Sequence, residues 1–295
     1  MNSVVFAIVY FSLFTFIVAC VVRAVRYAKQ PVHLRWELYP VPHEPARHLD
    51  HGGSYFEDTD WWTKPREVDH VSELRAMVQE MVFLKGLWEF NRPLWFRSFA
   101  FHFGLYLLIG TAGLLVAAIA FPALHYLYAA TGFLGGVLAM IGAIGLLIRR
   151  LSDARLKNYT APGDIFNLLF FIVTLAVLGA GYVSGAPDVR AIVRGLLTFD
   201  TAVPVPGLFA AGMILGALLV AYIPLTHMSH FIAKYFLYHS IRWDDTPNVA
   251  GGTIGKEIAK YLAYKPTWSA AHIGADGKKT WVDVAMANPS QGVKK

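Results

Sequence analysis

A chain of 295 residues that is 56% hydrophobic and only 16% charged, with a mean hydropathy of +0.44, is not an ordinary soluble domain, in which about a quarter of the residues carry charge. The net charge of +6 does not point to nucleic acid, because the basic residues gather at the edges of apolar blocks, where membrane topology places them. The single cysteine, Cys20, excludes an intramolecular disulfide, a zinc cluster and a self-contained iron–sulfur site, so any iron–sulfur chemistry belongs to a partner.

Five apolar blocks run approximately over 2–22, 95–121, 125–148, 163–183 and 207–233, each long enough for a helix to cross a bilayer, which takes about 20 residues. They lack period-2 alternation, which excludes a transmembrane barrel. The expected fold is an all-α integral membrane protein with five transmembrane helices. The first block ends in "FIVAC", which resembles a lipoprotein processing site, but "MNSVVFAIVYF" carries no positive charge ahead of it. Residues 1–22 are therefore read as an uncleaved transmembrane helix.

Residues 23–94 form an insert. Its second half places Val71, Leu74, Val78, Met81, Val82, Leu84, Leu87 and Trp88 near one helical face, the pattern of an amphipathic helix. That helix packs on its own protein, lies on the membrane surface or docks a partner. Residues 95–233 hold the other four membrane helices, with a short turn around Pro122, a basic loop "IRRLSDARLKN" and a Pro162–Gly163 pair opening the fourth block. Residues 234–295 are rich in Gly, Pro and Lys with scattered Trp243, Trp268 and Trp281, and read as an arm that orders against another chain. Of the 26 lysines and arginines, 24 fall on the side that holds the insert, the 149–157 loop and the tail. That side is expected to be cytoplasmic, with the N-terminus outside, in an inner (cytoplasmic) membrane.

Eleven histidines are present. His33, His43, His48, His51, His70, His239 and His272 lie in the insert and the tail, where a solvated or hydrogen-bonded surface histidine is the ordinary case. His125 sits at an outer turn beside Tyr126 and Tyr128, a pattern of the interfacial belt. His102, in "WFRSFAFHFGLYLLIG", and His227 and His230, in "YIPLTHMSHF", remain. An ionisable side chain in a membrane block is costly and marks function. His102 enters with the second block, and His227 and His230 close the fifth, so the three share a depth on helices from opposite ends of the sequence. Equal depth on two helices suits a haem with one axial imidazole from each side. Gly104 and Gly110 would leave room for a flat macrocycle, and Arg97, Arg149, Arg150 and Lys234 would meet its propionates. Capping of helix ends by these histidines and a proton path are the competing readings. Asp164, the acid nearest the blocks, has a plain capping role at a helix start.

Five helices, "FH" early in the second and a Pro six residues before the His that closes the fifth resemble the cytochrome b (gamma) subunit of respiratory nitrate reductase. The stretches "HLRWELYPVPHE", "GGSYFEDTDWW", "LKGLWEFNRPLW" and "WVDVAMANP" are similar to the branch that serves heterodisulfide-reductase-like or electron-transferring-flavoprotein–quinone complexes. The resemblance implies b-type haem with His102 and His230 as axial ligands. The outer haem of that family does not carry over, because the matching positions are Ala112 and Gly212. Met213 adjoins the second without a partner on the second helix. His227 departs from the pattern and is a rival ligand, or a quinone or propionate contact. The implied function is electron transfer between menaquinone or another quinone and a cytoplasmic iron–sulfur or flavin subunit, with His227, Tyr106 or Glu80 in a proton role. A haem-free membrane anchor of a redox complex is the alternative, and a transporter ranks last because no inverted repeat appears.

Overall fold

The computed structural model describes residues 2–30, 37, 40–45, 54–268 and 274–287, and these form helices and turns with no strand. Five helical stretches are long and apolar enough to cross a membrane: Asn2–Ala28, Arg92–Ala117, Pro122–Ser152, Pro162–Gly185 and Gly207–Leu225. Large apolar side chains such as Phe11, Ile109 and Phe133 stand exposed on them. In water such a surface would aggregate, and in a bilayer it meets lipid. This is the architecture of a multi-pass membrane protein.

The chain divides into two compact units. One comprises Met1–Val25 and Val71–Lys234, the other Arg26–His70 and Tyr235–Lys295. The insert expected over 23–94 is thus divided, with its amphipathic part in the first unit and its opening part in the second.

In chain order the helices are α1 Asn2–Ala28, α2 His70–Met81, α3 Lys85–Phe90, α4 Arg92–Ala117, α5 His125–Ser152, α6 Ala154–Lys157, α7 Pro162–Gly185, α8 Val189–Thr198, α9 Gly207–Tyr222, α10 His230–Phe236, α11 Thr253–Leu262 and α12 Trp281–Met286. Local chemistry sets their starts. Asn91 accepts from Leu94 N–H ahead of α4, with Pro93 in the first turn. Pro162 opens α7, where Asp164 accepts from Ala161 N–H at 3.0 Å. Asp188 caps α8 through Ala191 N–H at 2.9 Å. Side-chain oxygens there replace partners that a first helical turn lacks.

In the first unit, α4 and α5 form the most extensive helix pair. Small residues let them meet at backbone distance. A β-carbon placed on Gly104 would stand 2.3 Å from the Ala139 nitrogen, and one on Gly142 2.3 Å from the Phe101 nitrogen. Without a hydrophobic driving force in lipid, such close packing is what associates helices. Thr111 and Thr131 add a hydroxyl pair at 2.8 Å across the same seam. One core joins α1, α8 and α9 through Val5, Phe6, Ile192, Phe209 and Ala210. A second joins α4, α5, α7 and α9 through Phe101, Ala143, Leu168, Phe171 and Leu219.

Two departures from the sequence reading matter. The amphipathic segment is broken, with Leu84 in the left-handed region (φ 54°) between α2 and α3. The fifth membrane helix does not run to 233. It ends at Tyr222, and Ile223–Leu225 and His227–Ser229 are single 3₁₀ turns on either side of extended Thr226. Pro224 has no N–H to offer and its ring crowds the preceding turn. The Thr226 hydroxyl then accepts from Met228 N–H at 3.3 Å, a local start that serves the second turn.

In the second unit, residues some 200 positions apart are joined. Asp245 accepts from His43 Nε2 at 2.8 Å, from Arg66 Nη1 at 3.0 Å and from the Tyr55 hydroxyl. Trp243, almost wholly buried, donates its indole N–H to Glu37 at 2.8 Å. Burial alone would raise the Asp245 carboxyl, but the hydrogen bonds from His43 and Tyr55 and the charges of His43 and Arg66 hold it below the usual carboxylate range. The tail, read as an arm that orders against another chain, here packs against Glu37, His43, Tyr55 and Arg66 of the insert. It also carries α11 and α12, the latter started by Thr280 and Asp283, which cap each other's N–H groups at 2.8 and 3.2 Å.

Candidate functional site

His102 and His230 come together. Their ring centroids lie 5.9 Å apart with planes at 72°. His102 is ten residues into α4, and His230 opens α10 just past the break at Pro224. His102 Nδ1 is 2.7 Å from the Ser98 carbonyl one turn earlier. A carbonyl can only accept, so Nδ1 carries the proton and Nε2 is left with a lone pair, the tautomer of a metal-ligating histidine held by an outer hydrogen bond. Two imidazoles on one metal, each at about 2.0 Å with the ring centre about 1.1 Å behind its nitrogen, have centroids about 6.2 Å apart. The pair fits that spacing to within a few tenths of an ångström. No group of three or more His, Cys, Asp or Glu with metal-site geometry occurs among the described residues; a low-spin haem iron asks for two imidazoles only.

His227 stands apart from the pair. Its Nε2 is 3.3 Å from Asp164 Oδ1 and 3.3 Å from Asn167 Nδ2, and its side chain is 65% exposed. The break sets His227 and His230 on different turns.

The basic residues have separate partners. Arg150 Nη1 meets Asp164 Oδ2 at 3.2 Å. Arg97 donates to the Pro93 carbonyl at 2.6 Å and lays its stem along α5 at Gly145. Lys234 donates to the Glu80 carbonyl at 2.6 Å and stands 3.5 Å from the Glu80 carboxylate. Arg149 approaches Asp153 at 4.0 Å, while its buried Nη1 has no hydrogen-bond partner among the described residues. An orphaned guanidinium N–H at this end of α5 is a fitting anchor for a carboxylate such as a propionate. Asp164 does cap α7 as expected, and it also joins α5 to the turn at His227.

The turn between α2 and α3 is tied to α4 and α10 through its carbonyls. Tyr106, whose ring centroid is 6.5 Å from that of His102, donates to Met81 O at 2.9 Å, and Trp95 Nε1 donates to Phe83 O at 2.8 Å. With Lys234 on Glu80 O, two carbonyls at the end of α2 and one in the turn are satisfied.

Gly104 does not make room for a macrocycle; its open side is filled by the α5 backbone. Gly110 has no atom within 4 Å of a built β-carbon. His125 is bonded to the Tyr128 hydroxyl at 2.8 Å, His43 to Asp245, and His239 to Tyr235 O at 2.8 Å. His33, His48, His51 and His272 lie outside the described residues, as does most of "RWELYP". The sequence reading passed over Asn167, a polar residue in an apolar block whose signal was its position alone.

Comparison with protein-family models, with curated proteins and with solved structures finds no match to this chain.

Proposed function

We propose that the chain is a membrane cytochrome b subunit, of the kind its sequence resembles, that carries electrons between menaquinone or another quinone and a cytoplasmic iron–sulfur or flavin subunit. One observation carries the reading: His102 on α4 and His230 just past the end of the fifth span, about 130 residues apart in sequence, have ring centroids 5.9 Å apart, the spacing of two imidazoles on one metal. In this reading His102 and His230 hold a single haem b, which supplies a one-electron carrier. Ser98 orients His102 through its carbonyl, and Arg149 meets a propionate. The turn over 80–84 is tied down beside His102 by Tyr106, Trp95 and Lys234. The end of the bundle that bears His102 faces the cytoplasm of an inner-membrane protein whose N-terminus is outside.

The test is the absorption spectrum of the purified full chain. Reduced b-type bands are expected in the wild type and in His227→Ala, and their loss in His102→Ala and in His230→Ala. A wild-type chain without such bands supports the haem-free anchor instead, and loss in His227→Ala with retention in His230→Ala refutes the ligand assignment.

A further inference from the structure

We propose that Asn167, with His227 and Asp164, forms the headgroup site for a lipid-soluble quinone; the ligand class rests on the quinone-linked reading above, whereas the site rests on its own geometry. Asn167 lies five residues past Pro162, about 7.5 Å along α7 at helical rise, and is only 5% exposed. A buried amide is costly unless both its ends are bonded. One end meets His227 Nε2 at 3.3 Å, while Oδ1 has no partner among the described residues. The amide can sit either way round. If His227 Nε2 carries a proton, the amide oxygen accepts it and the NH₂ group is left over; if Nε2 is bare, the NH₂ donates and the oxygen is left over. In both arrangements one buried amide end is reserved for a guest. A spare NH₂ suits a quinone carbonyl, and a spare oxygen suits a quinol hydroxyl.

The surrounding charge selects a neutral guest. Asp164 stands 3.3 Å from His227 Nε2 and 3.2 Å from Arg150 Nη1. Its carboxylate offsets the one arginine in the cluster, which disfavours a phosphate or other anion. The adjoining surface is aromatic, with rings set at 45–80° to one another. Phe166, next to Asn167, contacts Phe170 and Tyr222 with ring centroids 5.7 Å away from each, and Phe170 and Tyr222 are 5.9 Å apart. Phe166 and Leu225 are exposed, so in a membrane the site opens toward lipid. A few placed polar groups beside an aromatic wall are the usual composition of a small-molecule site. A flat, neutral molecule with oxygen on the ring and a hydrocarbon tail meets every one of these conditions. His227 is three residues from His230, which sets this site beside the histidine pair.

The test uses the full chain in detergent micelles and heptylhydroxyquinoline N-oxide, a quinol-shaped probe whose fluorescence is quenched on binding. The wild type should bind it, Asn167→Leu should weaken binding about tenfold through loss of a buried hydrogen bond, and Phe166→Ala should weaken it as well. Menadione should compete with the probe and phosphatidylglycerol vesicles should not. Equal affinity in wild type and Asn167→Leu overturns the proposal. If that variant does not fold, equal affinity in the surface variant Phe166→Ala overturns it. Competition by phosphatidylglycerol alone assigns the site to a lipid headgroup and overturns the quinone class. Probe binding with this mutational pattern in a chain that lacks b-type bands retains the site and discards the cytochrome reading, so the two fail separately.

Discussion

Gly104→Ala adds one methyl group to α4 at a position where the structure leaves it no space. The new β-carbon would stand 2.3 Å from Ala139 N, 2.7 Å from Gly135 O and 2.8 Å from Ala139 Cα. Ordinary contact begins at 3.4 Å, so the helices must part by roughly 1 Å. The obstructing atoms are backbone, so no rotamer change relieves the clash. A gap of about 0.5–1 Å forfeits a quarter to a half of each contact's dispersion energy along the seam. Overpacking of this kind costs about 1–3 kcal/mol, and the backbone partners place Gly104→Ala at the upper end. The displacement also carries His102, two residues away, from His230. Gly110→Ala, on the same helix with nothing within 4 Å, is the control and should be neutral or slightly stabilising, since alanine is the better helix former. Thermal unfolding in detergent micelles, followed by circular dichroism, together with haem content per chain, measures both effects. Gly104→Ala should melt several degrees below wild type with reduced haem content, and Gly110→Ala should match wild type. Equal melting of the two variants would refute the close α4–α5 seam, and full haem content in a destabilised Gly104→Ala would refute its coupling to the histidine pair.

The second unit should loosen in acid. The folded Asp245 carboxyl lies below its unfolded value, so its contribution is present above the ordinary carboxylate range near pH 4 and is lost as pH falls through the folded value; hydrogen exchange or limited proteolysis over 54–66 and 243–268 reads this, and an unchanged pH profile in Asp245→Asn would count against it. Asp245→Ala at neutral pH, which strips His43, Tyr55 and Arg66 of their shared acceptor, should cost the unit about 2–4 kcal/mol, measured by denaturant titration of its tryptophan fluorescence. Deleting 266–295 should release a soluble partner subunit while b-type bands persist; co-purification of an intact complex would exclude a docking role for that arm. A pyridine haemochrome assay should give about one haem per chain, and a value near two would overturn the single-site assignment.

The membrane helices were legible because apolar length is a property of composition: five blocks in the sequence correspond to five spanning helices in the structure. The cap at Asp164 was legible because a Pro-Gly opening with an acid in the first turn is a local signal. Four features were obscured for physical reasons. Leu84 adopts a left-handed conformation that no residue type announces except glycine or asparagine, so the break between α2 and α3 was invisible. The α8 pattern, Asp188 followed by Val189, Ile192, Val193 and Leu196, carries a cap and a helical period, but at 10 residues it is too short to stand out as an apolar block. Gly104 was assigned to the wrong neighbour because a glycine in a sequence shows that space is needed and not what fills it. The association of Asp245 with His43, Tyr55 and Arg66 depends on contacts about 180–200 residues apart, which one sequence does not encode in any local pattern.

The break at Pro224 accounts for how a three-residue spacing serves two places. On one continuous helix, His227 and His230 would lie on neighbouring faces and compete for the same partner. Pro224 ends α9, extended Thr226 redirects the chain, and each histidine then belongs to its own turn. His230 is delivered to His102 on α4, and His227 to Asp164 and Asn167 on α7. The polar groups that a membrane interior penalises are thereby gathered at one end of the bundle, where Arg149, Arg150, Lys234 and Glu80 also lie. Toward the opposite end, a cavity of about 310 Å³ beside Met213 is lined by residues such as Val9, Leu178, Ile192 and Phe209, and Phe6 and Val5 close the adjacent core. Met213 there faces aliphatic and aromatic neighbours, and His125 is held by Tyr128. Among the described residues, His102, His227 and His230 thus lie at one end of the bundle, reached by α4 from one direction and by the broken fifth helix from the other.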